Sequence, residues 1–253
     1  MKLKDKVAII TGAASGIGKA AAVAFSNEGS RVCIIDIDEE NGESVLSEIK
    51  EQGGNAIFIS ADVAKSDDVK SSVDQCFVEF GSIDILINNA AVAIKKNIIE
   101  LEEHEWDRII NVNLKSMYLY SHLVIPNMIR NGGGVVLNLS SITGLVAVND
   151  LPAYCASKAG VIGLTRAMAL DHAGQGVRVN CICPSGIKTA QMEWYFQQAE
   201  DPEKERQRVI DLHPVGRMAD SSEVANLLVY LSTDEASFIT GAVHTIDGGY
   251  TIF

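Results

Sequence analysis

The 253-residue sequence has no Cys-x-x-Cys pair, and its five cysteines (Cys33, Cys76, Cys155, Cys181 and Cys183) are odd in number. The usual spacing of a zinc or dithiol redox motif is therefore missing. Cys181 and Cys183 alternate within an apolar, strand-like run and read as small core residues. His104, His122, His172, His213 and His244 are scattered, with no metal-ligand spacing, so no metal is expected. Basic charge is in deficit: the formal net charge is −12. That balance disfavours nucleic acid, anionic membranes and acidic protein partners. Long apolar runs are missing too. The basic stretch Met1 to Lys6 is followed only by Val7 to Ile10, too short for a signal-peptide core or a membrane span. A cytoplasmic protein is expected. No repeat, low-complexity tract or linker divides the chain.

What is present is a large apolar fraction, 47% of residues, enough to bury a sizeable core. Short apolar runs at Val7–Ile10, Val32–Ile35, Ala56–Ile59, Ile83–Ile87, Val135–Leu139, Val177–Ile182 and Val243–Ile246 read as strands. Between them, helical periodicity begins at Ile17 and recurs over about 39–52, 69–80, 103–130, 153–173 and 224–231. Gly29 and Gly81 sit where helices end, and Pro126 is placed to bend the longest helix near its end. Strands apolar on both faces belong in a parallel sheet covered by helices on each side. The expected fold is α/β, a doubly wound parallel sheet of about seven strands in one domain, residues 1–253. Residues 189–213, with Trp194, Tyr195 and Phe196, break the alternation. They are expected to form one or two helices outside the sheet that cover a substrate.

The first strand runs into Thr11-Gly12-Ala13-Ala14-Ser15-Gly16-Ile17-Gly18. Glycines at 12, 16 and 18 allow a sharp turn and close approach to a pyrophosphate at a helix N-terminus. Asp36 ends the second strand, eighteen residues after Gly18. A carboxylate there can accept from both adenosine ribose hydroxyls and repels a 2′-phosphate, so NAD is expected over NADP. Asp62 and Val63 end the third strand, where the aspartate can reach an adenine amino group. Asn88-Asn89-Ala90 ends the fourth at the same edge.

Tyr154 and Lys158 are four residues apart on a helix and share a face. A phenol titrates near 10, too high for an efficient base at neutrality. A neighbouring ammonium lowers it, so Tyr154 is expected to be the general acid or base, with Lys158 tuning it and holding the nicotinamide ribose. Ser141, at the end of the strand before, can stabilise charge on a substrate oxygen.

Taken together these motifs resemble the short-chain dehydrogenase/reductase family over essentially the whole chain. The resemblance also runs through Asn111-Val112-Asn113-Leu114, the strand from Val179-Asn180 to Pro184, and Asp247-Gly248-Gly249. It implies a Rossmann-type sheet and a catalytic set of Asn113, Ser141, Tyr154 and Lys158. Asn113 would sit at a helix distortion and hold a water in a proton relay to the lysine. Asn88 matches a residue tying neighbouring strands, Asn89 one beside the cofactor ribose, and Ile187 and Thr189 contacts of the nicotinamide carboxamide. With Gly12, Ser15, Gly16, Ile17, Gly18, Asp36, Asp62 and Val63 they complete the implied cofactor site. Two positions depart from the family pattern: Ala91 follows Asn-Asn-Ala in place of glycine, and Ser185 interrupts Pro-Gly. The resemblance also implies a dimer or tetramer built on the two long helices, with the tail from Tyr250 to Phe253 packing on a neighbour.

The function expected is an NAD-dependent oxidoreductase interconverting a secondary alcohol and ketone on a small or cyclic substrate. The alternatives are reduction of a 3-oxoacyl thioester on an acyl carrier protein, which Asp36 and the acidic charge disfavour, and a non-catalytic NAD-binding subunit, which the intact Tyr154 and Lys158 disfavour.

Overall fold

The computed structural model describes residues 1–252. Its strands are β1 (Val7–Thr11), β2 (Arg31–Asp36), β3 (Ala56–Ser60), β4 (Ile85–Asn88), β5 (Gly134–Leu139), β6 (Val177–Pro184) and β7 (Val243–Ile246). They form one sheet in the order β3-β2-β1-β4-β5-β6-β7, and every pairing is parallel. The chain winds outward from β1 to β3, then returns to the centre and winds the other way from β4. The carboxyl ends of β1 and β4 therefore flank the switch in strand order, where doubly wound sheets bind ligands.

The helices are α1 (Gly16–Asn27), α2 (Glu39–Glu51), α3 (Ser66–Phe80), α4 (Glu103–Ile110), α5 (Ser116–Arg130), α6 (Pro152–His172), α7 (Ala190–Gln197), α8 (Pro202–Asp211) and α9 (Ser221–Ser232). Alternation along β1 explains the layers. Ala8 and Ile10 face a core built with Phe25 of α1, Val45 and Ile49 of α2 and Leu228 of α9. Val7 and Ile9 face the opposite core, with Val73 and Phe80 of α3, Val124 and Met128 of α5 and Met168 of α6. Each isoleucine or phenylalanine fully buried in these layers contributes roughly 1.5–3 kcal/mol. Pairs of buried faces of this kind require strands without polar alternation, as the sequence has.

The seven strands and their flanking helices match the sequence reading, with boundaries shifted by up to three residues at the ends. The long helix expected over 103–130 differs in one respect. Residues Asn111–Lys115 form a π-helical turn between α4 and α5. Hydropathy periodicity reports one apolar face and does not register a single widened turn. Residues 189–213 contain α7 and α8. Phe253, part of the tail expected to pack on a neighbour, lies outside the described residues.

Candidate active site

A cavity of about 660 Å³ opens along the carboxyl edge of the sheet. Gly12, Ser15, Gly16, Ile17, Asp36, Asp62, Val63, Asn89, Ser141, Tyr154, Ile187 and Thr189 all line it. Gly18, Asn113 and Lys158 do not border it and act from behind its wall.

At one end, the loop after β1 is built for close approach. Gly12 and Gly16 have φ of +64° and +53°, conformations that L side chains rarely adopt. A Cβ on Gly18 would lie 2.0 Å from the Gly12 carbonyl oxygen, so α1 can sit against the loop only with glycine there. No side chain caps α1 at Ser15, which leaves first-turn N–H groups without side-chain partners. Asp36 is held from two sides: Oδ2 accepts from the Ala14 N–H of this loop at 2.9 Å, and Oδ1 from the N–H of Asp38, the N-cap of α2, at 3.1 Å. Each carboxylate oxygen keeps lone-pair capacity for a further donor. The exposed, uncharged Ile37 follows, and the cationic residues that line the cavity, Arg108 and Arg208, belong to α4 and α8. A glycine cradle, an uncapped helix N-terminus and a carboxylate one strand away fit a dinucleotide with free ribose hydroxyls.

Asparagines fix the floor. Asn89 Nδ2 donates to the carbonyls of Thr11 at 2.9 Å and Gly12 at 3.0 Å, tying the end of β4 to the loop. Asn88 Nδ2 donates to Asn138 Oδ1 at 2.8 Å, and Asn138 Nδ2 to Thr165 Oγ1 at 2.9 Å. This buried chain crosses from β4 through β5 to α6. Asn88 is thus structural, and Asn89 spends its amide hydrogens on the loop.

At the other end, α6 begins at Pro152, and Tyr154 projects from its first turn into the cavity. One turn later Lys158 is 1% exposed. Its Nζ donates to the Leu139 carbonyl at 2.7 Å and stands 5.5 Å from the centre of the Tyr154 ring. Ser140 Oγ donates to the Lys158 carbonyl at 2.7 Å, locking α6 to the end of β5. Burial pushes the Tyr154 phenol up to about 12, with the Ser141 hydroxyl acting against the shift. Burial likewise pushes the Lys158 ammonium down to about 8. In the protein alone, loss of water holds the phenol above its ordinary range, and the Ser141 hydroxyl is the group that opposes it.

Asn113 lies within the π turn and is fully buried. Its Oδ1 accepts from the Val92 N–H at 2.8 Å, and its Nδ2 donates to the Val92 carbonyl at 2.9 Å and to Ser157 Oγ at 3.2 Å. It therefore holds a piece of cavity wall, Val92, against the start of α6.

The outer wall comes from α7, α8 and the loop before them. Thr189 caps α7 by accepting from the Met192 N–H. Tyr195 donates to Glu205 at 3.1 Å, and its ring lies 4.9 Å under the Lys95 ammonium from the loop after β4. Arg206 joins α8 to α7 through both carboxylate oxygens of Glu193. The sequence marks Ser185 only as a departure from the family's Pro-Gly and gives His213 no role. In the structure Ser185 Oγ and His213 Nε2 are 2.7 Å apart in the cavity wall. Twenty-eight residues separate the two, and no local motif signals such a pair.

Against known proteins, residues 12–251 match the family model described as enoyl-(acyl carrier protein) reductase. The chain belongs to the short-chain dehydrogenase/reductase family. It is 38% identical to a cyclohexanol dehydrogenase of Acinetobacter sp., covering 99% of this chain and 96% of that one. It is also 38% identical to a 3-oxoacyl-[acyl-carrier-protein] reductase of Thermotoga maritima, covering all of both chains. Among solved structures, levodione reductase superposes with a TM-score of 0.95 at 30% identity, over 98% of each chain. The 3-ketoacyl-(acyl-carrier-protein) reductase of Brucella melitensis, complexed with NADH, does so with a TM-score of 0.90 at 33% identity, over 98% of this chain and 99% of that one. As a member of this family the chain is an oxidoreductase. Among the described residues no helix is long and apolar enough to cross a membrane.

Proposed function

We propose that the chain is an NAD(H)-dependent dehydrogenase or ketoreductase acting on a secondary alcohol or ketone of a small or cyclic substrate. The observation that carries this is the shape of one cavity. A carboxylate that selects for free ribose hydroxyls stands at one end, and a phenol backed by a buried ammonium stands at the other.

Gly12, Ser15, Gly16, Ile17 and Gly18 would cradle the pyrophosphate, and Asp36 the adenosine ribose. Asp62 and Val63 would border the adenine, and Ile187 and Thr189 the carboxamide of the nicotinamide. Asn89 holds the loop beside the ribose, and Lys158 has two ammonium hydrogens beyond the one given to Leu139 with which to reach that ribose. When bound, the nicotinamide supplies or accepts the hydride. The chain handles the proton. Tyr154 gives its phenolic hydrogen to the carbonyl oxygen in reduction and takes it back in oxidation, while Ser141 donates to the same oxygen. Asn113 positions Val92 and the first turn of α6. The helices α7 and α8 cover the substrate, and the apolar side chains of Met192, Trp194 and Leu212 along the cavity suit an aliphatic ring. The chain works as one domain. Leu170 on α6 and Tyr118 on α5, both exposed, support assembly into a dimer or tetramer through these helices.

A second reading, reduction of a 3-oxoacyl thioester, is favoured by the Thermotoga maritima relative. The objection drawn from Asp36 is weakened by the Brucella melitensis reductase, which is complexed with NADH. Nicotinamide absorbance separates the two. Secondary and cyclic alcohols and 3-oxoacyl thioesters are offered in turn, with NAD and NADP in parallel. Turnover of a free alcohol with NAD supports the first reading. Turnover confined to the thioester establishes the second, and turnover confined to NADP also removes the role of Asp36.

A further inference from the structure

The pairing of Ser185 with His213 has chemical content beyond packing. His213 is 3% exposed. Its Nδ1 lies 2.6 Å from the Val209 carbonyl oxygen, which can only accept, so Nδ1 carries the hydrogen. Its Nε2 faces the Gly186 N–H, which can only donate, at 3.4 Å. Nε2 is therefore an acceptor, and the hydrogen between it and Ser185 Oγ, 2.7 Å away, belongs to the serine. The Tyr250 ring packs edge-on against the imidazole, with centroids 5.4 Å apart, and holds it in this orientation. Ser185 itself is only partly buried and borders the cavity. With its hydrogen committed to His213, its oxygen offers that cavity lone pairs alone.

From this we infer that Ser185 is a specificity-determining residue, oriented by His213, that accepts a hydrogen bond from a second donor group on the substrate. The substrate class is an otherwise apolar, ring-sized alcohol or ketone bearing a further hydroxyl. This rests on the alcohol-oxidising reading above. An ether or carbonyl at the same place would set lone pair against lone pair, and a bare ring would leave the serine acceptor unpaired. Sites built to bond a substrate hydroxyl discriminate against analogues that lack it.

The test compares cyclohexanol, the three positional cyclohexanediols and their monomethyl ethers as substrates with NAD, using the full chain and Ser185→Ala and Ser185→Thr variants. NADH affinity is measured for each protein. The expected result is at least one diol with kcat/KM about tenfold above cyclohexanol, and its ether no better than cyclohexanol. In Ser185→Ala the diol should fall to the level of cyclohexanol, mainly through KM. Cyclohexanol, whose bare ring no longer faces an unpaired acceptor, should hold or gain, NADH affinity should stay within about twofold, and Ser185→Thr should retain part of the preference. Equal turnover of diols, ethers and cyclohexanol overturns the inference and leaves the alcohol dehydrogenase reading standing. An Ser185→Ala variant with weaker NADH binding and all alcohols slowed alike places the serine at the cofactor and also overturns it. Turnover of none of these alcohols by a protein that binds NADH removes both readings.

Discussion

Asn113 grips Val92 by both of its backbone groups, accepting from the N–H at 2.8 Å and donating to the carbonyl at 2.9 Å. This double bond between a π turn and the loop after β4 mimics one rung of a sheet. It fixes the cavity wall without using regular secondary structure. Asn113→Ala leaves both Val92 groups without a protein partner. With the bond to Ser157 Oγ also gone, three hydrogen bonds are lost, and at about 1 kcal/mol for each the variant should be about 3 kcal/mol less stable. Urea unfolding checks this, with the midpoint falling and the slope unchanged. A loss under about 0.5 kcal/mol would show that water replaces the amide and that Asn113 does not hold the wall.

Tyr154 lines the cavity, with the Ser141 hydroxyl in hydrogen-bonding reach of its phenol. Tyr154→Phe keeps the ring that Lys158 faces and removes only the oxygen. The expected outcome is a fall in kcat of about a hundredfold or more, with NADH affinity within about threefold of the native protein. A variant keeping over about a tenth of kcat would remove Tyr154 as the general acid and base. Steady-state rates and a fluorescence titration with NADH give the two numbers.

Much of this arrangement was legible in the sequence because it is local. Gly12, Gly16 and Gly18 announce a turn that only glycine can make, and Tyr154 and Lys158 share a face by helical geometry alone. Asp36 is read from its place at the end of an apolar strand. What was not legible depends on distance in three dimensions. The π turn at Asn111–Lys115 leaves the apolar face intact, so periodicity reads straight through it, and only the family resemblance pointed to a helix distortion at Asn113. The Ser185–His213 pair joins β6 to the chain just past α8, and nothing near either residue points to the other. The burial that raises the Tyr154 phenol is likewise a property of the packed fold and not of any local motif.

Lys158 supplies a pH test. Its folded value of about 8 lies below the ordinary 10.5. Below pH 8 both folded and unfolded chains carry the proton, and burying the charge costs about 3 kcal/mol. Between 8 and 10.5 the folded chain releases the proton while the unfolded chain keeps it. The cost then fades as pH rises. Lys158→Met removes this charge and also the donor to the Leu139 carbonyl, a loss of about 1 kcal/mol. The inactive variant should therefore be about 2 kcal/mol more stable than the native chain at pH 7, with the difference shrinking through pH 8 and gone by about pH 10. Groups that titrate alike in the two proteins cancel in this difference. Denaturant midpoints from pH 7 to 10 are the measurement. A gap that does not change with pH would show that the buried lysine is not the group titrating.

Asp36 braces the loop after β1 through Ala14 and the start of α2 through Asp38, and under the proposed cofactor reading its negative charge would face a 2′-phosphate. The two roles separate by substitution. Asp36→Asn keeps the shape and one acceptor oxygen but removes the charge, and Asp36→Ala removes both. If charge decides between the cofactors, both variants should narrow the NAD to NADP ratio of kcat/KM by about tenfold or more. Asp36→Asn should also lose about 1 kcal/mol of stability, because only one of the Ala14 and Asp38 N–H groups keeps an acceptor, and Asp36→Ala about 2 kcal/mol, because both lose it. A narrowed ratio in Asp36→Ala with the native ratio kept in Asp36→Asn would assign the preference to hydrogen bonding at the ribose. A ratio unmoved in both variants would mean that cofactor choice is made elsewhere in the cavity.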